Sequence, residues 1–225
     1  MNRTLNIFFS KKITEPLKEM ALQKNICVND FELLRITYPG TKVEYSSLPF
    51  VFTSAHGVKG LFEKNSFEKP IRAFCISGAT ANTANDFKVE VIASANHASQ
   101  LAKEIIKSDC KEVVYCTTSE RRSELEKALS KRGIKINVHL VYNKEAVPVT
   151  LSQHFDGLVF YSPSQVETFL IHNKNYFNVP VFCIGNTTSE FAKSKGFKNC
   201  IATEFPSTES ILELINKKLI ITHNV

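Results

Sequence analysis

Short runs of consecutive apolar residues alternate with longer amphipathic stretches along the whole chain. The runs are continuously apolar, as expected for strands that are covered on both faces of a sheet. Regular alternation of strands and helices predicts right-handed βαβ units and parallel sheets, and therefore the α/β class. The first half of the chain gives predicted strands at Leu5–Phe9, Ile26–Leu34, Phe50–Thr53, Ala73–Ile76 and Val89–Ile92, and predicted helices at Glu15–Lys24 and from about His56, Ala79 and His97. The second half gives strands at Val113–Cys116, Ile136–Val141, Gly157–Tyr161, Val181–Ile184 and Cys200–Ala202, and helices from about Arg121, Pro163, Thr187 and Thr208.

An internal repeat relates the two halves of the chain. Phe52-Thr53-Ser54 recurs 108 residues later as Phe160-Tyr161-Ser162, and Thr80 recurs at the same offset as Thr188. The offset also carries Phe74-Cys75-Ile76 to Phe182-Cys183-Ile184, and Leu17, Ala21 and Ile26 to Leu125, Leu129 and Ile134. One offset that relates separated features without a gap indicates a duplicated unit. Two copies are too few for a solenoid, so we expect two similar domains.

The repeat leaves two domain arrangements open. The halves could be tandem, with a boundary near Lys107–Lys111, or the middle of the chain could form one domain while both ends form the other. Proline and glycine mark connectors at Tyr38-Pro39-Gly40-Thr41 and Asn143–Pro148, whereas Lys107–Lys111 contains neither residue. We therefore prefer the second arrangement: domain 1 comprises 1–36 and 150–225, domain 2 comprises 41–143, and 37–40 and 144–149 connect them. Two connectors imply a double hinge, and a cleft between domains is the usual place for a ligand.

Composition places the chain among globular proteins, with 43% hydrophobic and 22% charged residues. No apolar run approaches the ~20 residues that span a bilayer, and Leu5–Phe9 is too short for the core of a signal peptide. None of the six cysteines forms a C-x-x-C pair, and buried, reduced thiols are their expected state. We therefore expect a cytoplasmic protein without membrane contacts.

The charge of the chain suits an anionic partner, because the net charge is +6 and the pI is about 8.9. The lysines are spread along the sequence, and no block of lysine and arginine of the nucleic-acid-binding kind occurs. Arg121-Arg122 and Lys131-Arg132 are the densest positions, and a solvated helix face accounts for Lys131-Arg132. We therefore expect a small anionic ligand and no nucleic acid.

Four turns at the predicted carboxyl ends of strands combine small residues with hydroxyls just before a helix. They are Thr53-Ser54, Ser77-Gly78-Ala79-Thr80, Ser162-Pro163-Ser164 and Gly185-Asn186-Thr187-Thr188. Open parallel sheets bind ligands at this edge, and the N–H groups and dipole of a helix N-terminus favour an anion. Plain N-capping would explain any one turn, because Ser and Thr are favoured caps. Four turns in two symmetric pairs favour contact with a ligand.

Motifs for nucleotide cofactors and serine nucleophiles are missing from the sequence. There is no G-x-G-x-x-G, no G-x-x-x-x-G-K-[ST] and no G-x-S-x-G. The six histidines form no pair at the i, i+4 spacing of metal ligands. We therefore expect neither a cofactor nor a metal.

Several motifs follow one another in a fixed order from about residue 4 to 220. They are Phe52-Thr53-Ser54-x-x-x-Val58, Gly78-Ala79-Thr80-Ala81, Arg122-x-x-Leu125-x-x-x-Leu129-x-x-x-Gly133 leading to Val141-Tyr142, Phe160-Tyr161-Ser162-Pro163-Ser164, Ile184-Gly185-Asn186-Thr187-Thr188 and Pro206-Ser207-Thr208-Glu209. In order and spacing they resemble the uroporphyrinogen-III synthase family. The resemblance implies two flavodoxin-like domains, each with a doubly wound parallel sheet, joined by a two-stranded connector. We also expect a monomer.

The same resemblance implies an activity in heme and porphyrin biosynthesis. A cofactor-free lyase would close hydroxymethylbilane, a linear tetrapyrrole with eight carboxylates, into uroporphyrinogen III, with loss of water and inversion of the last ring, ring D. The basic charge and the hydroxyl-rich turns fit such a polyanion. The candidate substrate-binding residues are Lys11, Ser54, Thr80, Arg122, Ser162, Ser164, Gly185, Thr187 and Thr188.

Tyr142 is the candidate catalytic residue. The matched family motif carries a tyrosine at this place, proposed as the proton donor to the leaving hydroxyl. Its counterpart 108 residues earlier is Leu34, so the repeat does not require a tyrosine. With an unperturbed pKa of about 10, tyrosine stays protonated and can donate at neutral pH. The structural alternative is a tyrosine that packs its ring at the domain edge and leaves its hydroxyl in solvent.

Three positions depart from the family pattern. Ser10-Lys11-Lys12 stands where many members have a Thr-Arg-Pro-like turn, Asn186 stands in place of proline, and Thr117-Thr118 replaces a turn that often has glycine. Lysine supplies the charge of arginine but not its bidentate geometry. The alternative function is therefore a non-catalytic protein that binds or senses a small anion, because two α/β domains with a double hinge also describe such proteins. An assay with hydroxymethylbilane separates the two functions.

Overall fold

The computed structural model describes residues 3–43, 47–121 and 123–220. Its strands are β1 (Leu5–Phe9), β2 (Ile26–Asp30), β3 (Leu34–Thr37), β4 (Phe50–Phe52), β5 (Arg72–Ile76), β6 (Glu90–Ala95), β7 (Glu112–Thr117), β8 (Lys135–Leu140), β9 (Asn143–Ala146), β10 (Gly157–Phe160), β11 (Val181–Cys183) and β12 (Cys200–Ala202). Its α-helices are α1 (Glu15–Gln23), α2 (Ala55–Phe62), α3 (Ala79–Asp86), α4 (Ala98–Lys107), α5 (Glu124–Ser130), α6 (Pro163–Leu170), α7 (Asn186–Ser194) and α8 (Thr208–Ile215). A 3₁₀ turn covers Lys174–Tyr176, and a π-helical turn covers Asn216–Ile220.

Contacts between residues divide the described chain into two compact units. The terminal unit holds the chain up to Arg35 and from Glu145 onward, and the central unit holds Ile36–Lys144. β3 and β9 form a small two-stranded antiparallel sheet where the chain passes from one unit to the other. The predicted α/β class, with two parallel sheets and a two-stranded connector, is confirmed.

The sheet of the terminal unit has the strand order β2-β1-β10-β11-β12, with parallel neighbours throughout. Counted along the chain within the unit, this is the order 2-1-3-4-5 of flavodoxin-like sheets. The direction of winding reverses between β1 and β10, which pair from Ile7 opposite Gly157 to Phe9 opposite Val159. The carboxyl ends of these two strands therefore flank the crevice where such sheets bind ligands.

The sheet of the central unit has the strand order β6-β5-β4-β7-β8, and its neighbours are also parallel. The strands occupy the same positions as in the terminal unit, but the chain begins at a different position. The first strand of this sheet, β4, therefore occupies the position that β10 occupies in the terminal unit. The winding reverses between β4 and β7. Ser54 follows the carboxyl end of β4, and Thr118 follows the carboxyl end of β7.

The 108-residue repeat extends to single hydrogen bonds. Helices α2 and α6 coincide at this offset, and an asparagine follows each of them at an equivalent place. The side-chain oxygen of Asn65 accepts the Val43 N–H at 2.9 Å, and that of Asn173 accepts the Leu151 N–H at 2.9 Å. Each asparagine also donates to the carbonyl four residues back. The repeated asparagine thus ties the segment before β4 or β10 to the following helix.

Both sheets are covered on both faces, as the continuously apolar strands predict. Along β4, Phe50 and Phe52 belong to one buried cluster, and Val51 belongs to the cluster on the opposite face. Along β1, Phe8 belongs to one buried cluster, and its neighbours Ile7 and Phe9 belong to the cluster on the opposite face. Full burial of each such side chain contributes about 1.5–3 kcal/mol. Within the described ranges, no helix is both long and apolar enough to cross a bilayer.

Two elements differ from the predictions. The predicted strand Ile26–Leu34 is two strands, because β2 has β1 as its ladder neighbour and β1 ends at Phe9, opposite Asp30. The helix predicted from Arg121 begins later, at the start of α5, and the Arg121 guanidinium instead donates to the Glu126 carboxylate at 3.0 Å. In both cases a local partner, rather than propensity, sets the boundary.

Candidate functional site

The carboxyl edge of the central sheet brings together residues from three loops. Ser54 follows β4, Thr118 follows β7, and Tyr142 follows β8. Because β4 and β7 are neighbours at the reversal of winding, Ser54 and Thr118 lie at the crevice that this topology creates. Ser54 and Tyr142, both predicted site residues, interact through their side chains, and the Ser54 hydroxyl lowers the pKa of Tyr142.

Ser54 connects helix α2 to Tyr142. Its hydroxyl oxygen accepts the backbone N–H of His56 at 3.2 Å, which makes Ser54 the N-cap of α2. A serine oxygen that accepts one bond can still donate its own hydrogen. When Ser54 donates to the Tyr142 oxygen, the Tyr142 proton remains available for another acceptor.

Tyr142 is a buried tyrosine, with 5% of its surface exposed. Its ring centroid lies 5.7 Å from that of His56. Burial raises the pKa of Tyr142, and the nearby Ser54 hydroxyl offsets part of that rise. Since an unperturbed tyrosine already titrates near pH 10, the hydroxyl stays protonated throughout the neutral range. The group is therefore a proton donor rather than a base.

His56 and Tyr38 are neighbours of Tyr142 that the sequence analysis did not predict. The Nδ1 atom of His56 is 2.7 Å from the Tyr38 hydroxyl, and the two ring centroids are 6.1 Å apart. Tyr38 follows β3, whereas His56 lies in the first turn of α2. No sequence motif links these positions, because a lone histidine and a connector tyrosine match no functional pattern.

The turn between β5 and α3 contains the predicted residue Thr80 and adjoins a polar cavity. Gly78 is the N-cap of α3 with a φ of 76°, a conformation that favours glycine. Thr80 is 6% exposed, and its hydroxyl makes no hydrogen bond to any described residue. The cavity has a volume of about 360 Å³, and its lining includes Ser77, Asn96 and Lys103. The sequence analysis missed Asn96 and Lys103.

In the terminal unit, the buried side chain of Gln165 fixes the carboxyl ends of β1 and β10. Its oxygen accepts the Ser10 hydroxyl and the Tyr161 N–H, both at 2.9 Å, and its amide donates to the Ser10 carbonyl at 3.1 Å. The backbone N–H of Gln165 donates to the Ser162 hydroxyl at 3.3 Å. Ser162 is therefore the N-cap of α6. Ser164 lies in the first turn of that helix, where its carbonyl accepts the hydroxyl four residues later.

Lys11 lies over the ring of Tyr161 at the carboxyl end of β1. The lysine nitrogen is 3.9 Å from the ring centroid, which is a cation–π distance. The Tyr161 hydroxyl is in turn 3.1 Å from the Thr208 hydroxyl. Burial lowers the pKa of Lys11, while Glu32 and Glu209 raise it. Lys11 is thus a partly desolvated charge beside the reversal of winding in this sheet.

The turn between β11 and α7 contains the predicted residues Gly185, Thr187 and Thr188. Gly185 precedes α7 as its N-cap, and a Cβ added there would meet nothing within 4 Å. Thr187 is exposed in the first turn of the helix. Thr188 is 3% exposed and, like its equivalent Thr80, makes no hydroxyl hydrogen bond to a described residue.

The four turns therefore divide into capping and non-capping hydroxyls. Ser54 and Ser162 accept backbone N–H groups, so N-capping accounts for their presence. Thr80 and Thr188 do not cap, because α3 and α7 have glycine at the N-cap and no side-chain cap bond. Capping leaves the two threonines unexplained, and their contact with an anionic ligand stays a prediction.

A family model described as uroporphyrinogen-III synthase HemD matches residues 45–213. The match covers well over half of the 225 residues and includes Ser54, Thr80, Tyr142, Ser162 and Thr188. The chain belongs to the uroporphyrinogen-III synthase family. Family membership makes it a cyclising lyase that works without a cofactor. None of the curated protein sequences compared with the chain matches it.

Solved structures of uroporphyrinogen-III synthases share the fold. A mutant uroporphyrinogen III synthase from the extreme thermophile Thermus thermophilus is 15% identical, with a TM-score of 0.68 over 95% of this chain and 98% of that one. The uroporphyrinogen-III synthetase of Helicobacter pylori is 24% identical, with a TM-score of 0.66 over 96% and 99%. The wild-type Thermus thermophilus enzyme is 16% identical, with a TM-score of 0.52 over 98% and 99%. At these identities the likeness shows the fold, and the family assignment rests on the family model.

One predicted substrate-binding residue of the family motif, Arg122, lies outside the described residues. Its neighbour Arg121 is engaged with the Glu126 carboxylate. In the described part of the chain, no group of three or more His, Cys, Asp or Glu side chains could hold a metal ion. All six cysteines are free thiols.

Thr118, one of the departures from the family pattern, is a buried polar residue without a hydrogen-bond partner for its hydroxyl. It is 3% exposed, and among the described residues its Oγ1 is the one side-chain nitrogen or oxygen fully shut off from solvent that forms no hydrogen bond. Leaving a buried hydroxyl unbonded costs about 1–3 kcal/mol. The residue therefore lowers the stability of the ligand-free protein.

We expect Thr118→Val to raise the free energy of unfolding by about 1 kcal/mol, because valine keeps the shape and removes the unbonded hydroxyl. In a protein of this size, that change raises Tm by about 2–4 °C, which thermal unfolding measures. Thr168→Val is the matched control, since Thr168 is also 3% exposed but donates to the Ser164 carbonyl at 3.0 Å. The control should lose stability. Equal losses in both variants would contradict the prediction.

Proposed function

We propose that this chain cyclises hydroxymethylbilane to uroporphyrinogen III, with loss of water and inversion of the last ring, as a step of heme and porphyrin biosynthesis. The observation that carries the proposal is the buried hydroxyl-bearing side chain of Tyr142, which lies against His56 at the carboxyl edge of the central sheet, within the matched family region. Loss of the terminal hydroxyl as water needs a proton donor, and Tyr142 is protonated at neutral pH. The chemistry needs no other group in the first step.

Recognition of the substrate falls to the hydroxyls and cations at the carboxyl edges of the two sheets. The substrate carries eight carboxylates, and the chain carries a net charge of +6. In the central unit, the unbonded hydroxyl of Thr80 and the polar cavity that includes Lys103 offer donors. In the terminal unit, Thr188 and the Lys11 ammonium do the same. Helix N-termini beside these residues add partial positive charge.

Ser54, Ser162, Ser164, Gly185, Thr187 and Arg122 complete the proposed substrate-binding set. Ser54 and Ser162 have a second task as caps, which fixes their hydroxyls in place. Gly185 leaves open space above the N-terminus of α7, so that a carboxylate can approach the backbone N–H groups. The set supports positioning of a flexible chain so that its two ends meet, which is where much of the rate gain of such a reaction lies.

An isomer-resolved assay tests the proposed activity. Purified protein is incubated with hydroxymethylbilane, and the products are oxidised and separated as uroporphyrin isomers I and III. We expect isomer III to form faster than the spontaneous isomer I. Binding of the tetrapyrrole without any isomer III would favour the non-catalytic anion-binding protein instead.

We expect Thr188→Ala to weaken binding of the tetrapyrrole by about 1–3 kcal/mol, the usual effect of removing a hydrogen bond to a charged group. Since the Thr188 hydroxyl bonds no described residue, the substitution should leave Tm nearly unchanged. The readouts are KM for hydroxymethylbilane and the affinity for uroporphyrinogen III. Ser194→Ala, at the opposite end of α7, is the control. Unchanged affinity with unchanged stability would rule out the contact.

We also propose that the protein acts as a monomer in the cytoplasm. Free thiols at all six cysteines, three of them buried, suit a reducing compartment. The candidate substrate residues of both sheets belong to one chain, so the proposed chemistry needs no second copy. Light scattering should give a mass near 25.3 kDa, and a mass of a dimer would contradict the proposal.

A further inference from the structure

His56 is a histidine whose ring neither the helix cap nor the hydrophobic core requires. The cap of α2 uses its backbone N–H, not its imidazole. The ring is partly exposed, lies against Tyr142, and is fixed through Nδ1 by the Tyr38 hydroxyl at 2.7 Å. Among the residues that the structure describes, none hydrogen-bonds the other ring nitrogen, Nε2. A ring held through one nitrogen thus leaves its second nitrogen available beside the proposed acid.

The proposed reaction takes up one proton and releases another. In the first step the C–O bond of the hydroxymethyl group breaks, its electron pair leaves with oxygen, and Tyr142 supplies the proton that completes water. In the last step the unsubstituted α-carbon of the inverted ring forms the closing C–C bond and still carries its hydrogen. That C–H bond must break, with its electron pair returning to the pyrrole ring, and a base must accept the proton. The sum is one macrocycle and one water, without an oxidant or reductant.

We propose that His56 is this base, accepting the proton at Nε2 while Tyr38 holds the ring through Nδ1. The inference rests on the proposed function and adds a second proton-transfer residue to it. Tyr142 is a phenolate after the first step, and His56 is an imidazolium after the last. Transfer of the proton from the imidazolium to the phenolate, directly or through solvent, restores both residues for the next turnover.

The Tyr38 hydroxyl serves the ring in both protonation states. When Nδ1–H donates to the Tyr38 oxygen, Nε2 carries the lone pair that a base needs. After Nε2 gains a proton, the bond from Nδ1–H to Tyr38 is unchanged. The imidazole therefore accepts and returns a proton without having to turn. This is the geometry by which a partner on one ring nitrogen sets the role of the other.

The charges around His56 keep it unprotonated at neutral pH. Burial lowers the pKa of His56, and the nearby cations Lys59 and Lys144 lower it further. The other titratable groups that face it, Tyr38 and Tyr142, are neutral because burial raises the pKa of each. The base form thus dominates at pH 7 and is lost only as the pH falls below the ordinary value for histidine. Activity that depends on His56 must therefore fall on the acid side.

The pH dependence of kcat for His56→Gln tests the inference, measured from about pH 5 to about pH 8 to span the titration of histidine. We expect kcat at pH 7 to fall about tenfold, less than usual for a general base, because water can accept the proton instead. KM should change little. The decrease of kcat at low pH, the acid limb of the pH profile, should disappear. A substrate with deuterium on the unsubstituted α-carbon should show a larger isotope effect in the variant, since C–H cleavage becomes slower.

Three further variants sharpen the test. Tyr38→Phe keeps the imidazole but removes its partner, so it should lose part of kcat and shift the acid limb. His97→Gln changes an exposed histidine just before α4 in the same unit and should change nothing. Glu120→Gln removes a carboxylate that acts electrostatically on Tyr142 and should leave the acid limb in place. Circular dichroism and Tm establish whether each variant folds. If His56→Gln does not fold, the kcat and pH profile of Tyr38→Phe decide the test.

The outcomes separate this inference from the proposed function. If the unmodified protein forms no uroporphyrinogen III, the proposed function fails. If it does form isomer III, the assignment of His56 is overturned by any of three results. These are full kcat in His56→Gln, an unchanged acid limb in that variant, or loss of the limb in Glu120→Gln instead. A loss confined to KM would likewise overturn it, because that would make His56 a binding contact.

Discussion

Tyr142→Phe should lower kcat for uroporphyrinogen III formation by about 10²-fold or more, the low end for general acid catalysis. The substitution removes the Tyr142 hydroxyl, the proposed proton donor at the carboxyl edge of the central sheet. KM should stay nearly the same, because the ring and its contact with His56 remain. Steady-state rates with hydroxymethylbilane, with isomers resolved, measure the change.

A matched control for this variant is Tyr176→Phe in the terminal unit. Tyr176 is also 5% exposed, but its hydroxyl donates to the Gln153 carbonyl at 2.6 Å. Loss of such a bond between neutral groups costs about 1 kcal/mol of stability. The two variants should therefore differ in opposite ways. Tyr176→Phe should lose stability and keep its rate, whereas Tyr142→Phe should lose rate and keep most of its stability.

The pH dependence follows from the direction of the Tyr142 pKa shift. Burial raises the pKa of this hydroxyl above that of an unfolded tyrosine, so its proton is retained to higher pH in the folded protein. Tyr142 should therefore cause no loss of activity below about pH 10, and its contribution to stability is lost only as the pH rises above that value. Near-full activity of a folded Tyr142→Phe would show that another group is the acid, or that positioning alone suffices.

The repeat explains why much of the fold was predictable from the sequence. Each copy must bury the same strands between the same helices, so its apolar runs and turns recur at one offset. The offset extends to the hydrogen-bonding of Asn65 and Asn173, which no hydrophobic pattern contains. The strand order within each sheet was not predictable in the same way. The strand order depends on which position in the sheet the first strand of the unit occupies.

The candidate site was predictable where a turn combines small residues and hydroxyls at the end of a strand. The role of each hydroxyl was not, because a cap and a ligand contact use the same residue types. Only the structure separates Ser54, which accepts a helix N–H, from Thr80, which bonds no described residue. His56 and Tyr38 had no sequence signal at all, since their pairing depends on how β3 and α2 meet in space.

Helix α2 lies so close to the segment that carries Tyr142 that only glycine fits at the contact. A Cβ added to Gly60 would lie 2.8 Å from the carbonyl carbon of Val141 and closer still to its oxygen. A Cβ added to Gly57 would lie 2.7 Å from the carbonyl oxygen of Cys116. Both obstacles are backbone atoms, which cannot turn away as a flexible side chain can. The equivalent of Gly60 in the repeat is Thr168, so the close approach is peculiar to the central unit.

Gly60→Ala should therefore destabilise the protein by about 2 kcal/mol or more, in the range of overpacked cores. Helix propensity alone predicts the opposite sign, a gain of about 1 kcal/mol for alanine over glycine inside a helix, so the sign of the change is decisive. Because Val141 must move and Tyr142 follows it, kcat of the folded variant should also fall, by up to about 10²-fold for a displacement near 1 Å. Chemical unfolding and rates measured well below Tm give the two effects separately.

Gly185→Ala, where the added methyl meets nothing within 4 Å, should change stability by less than about 1 kcal/mol. A Gly60→Ala protein that is more stable than the parent would mean that α2 and Val141 are not in close contact in solution, and the placement of Tyr142 beside Ser54 would lose its structural support.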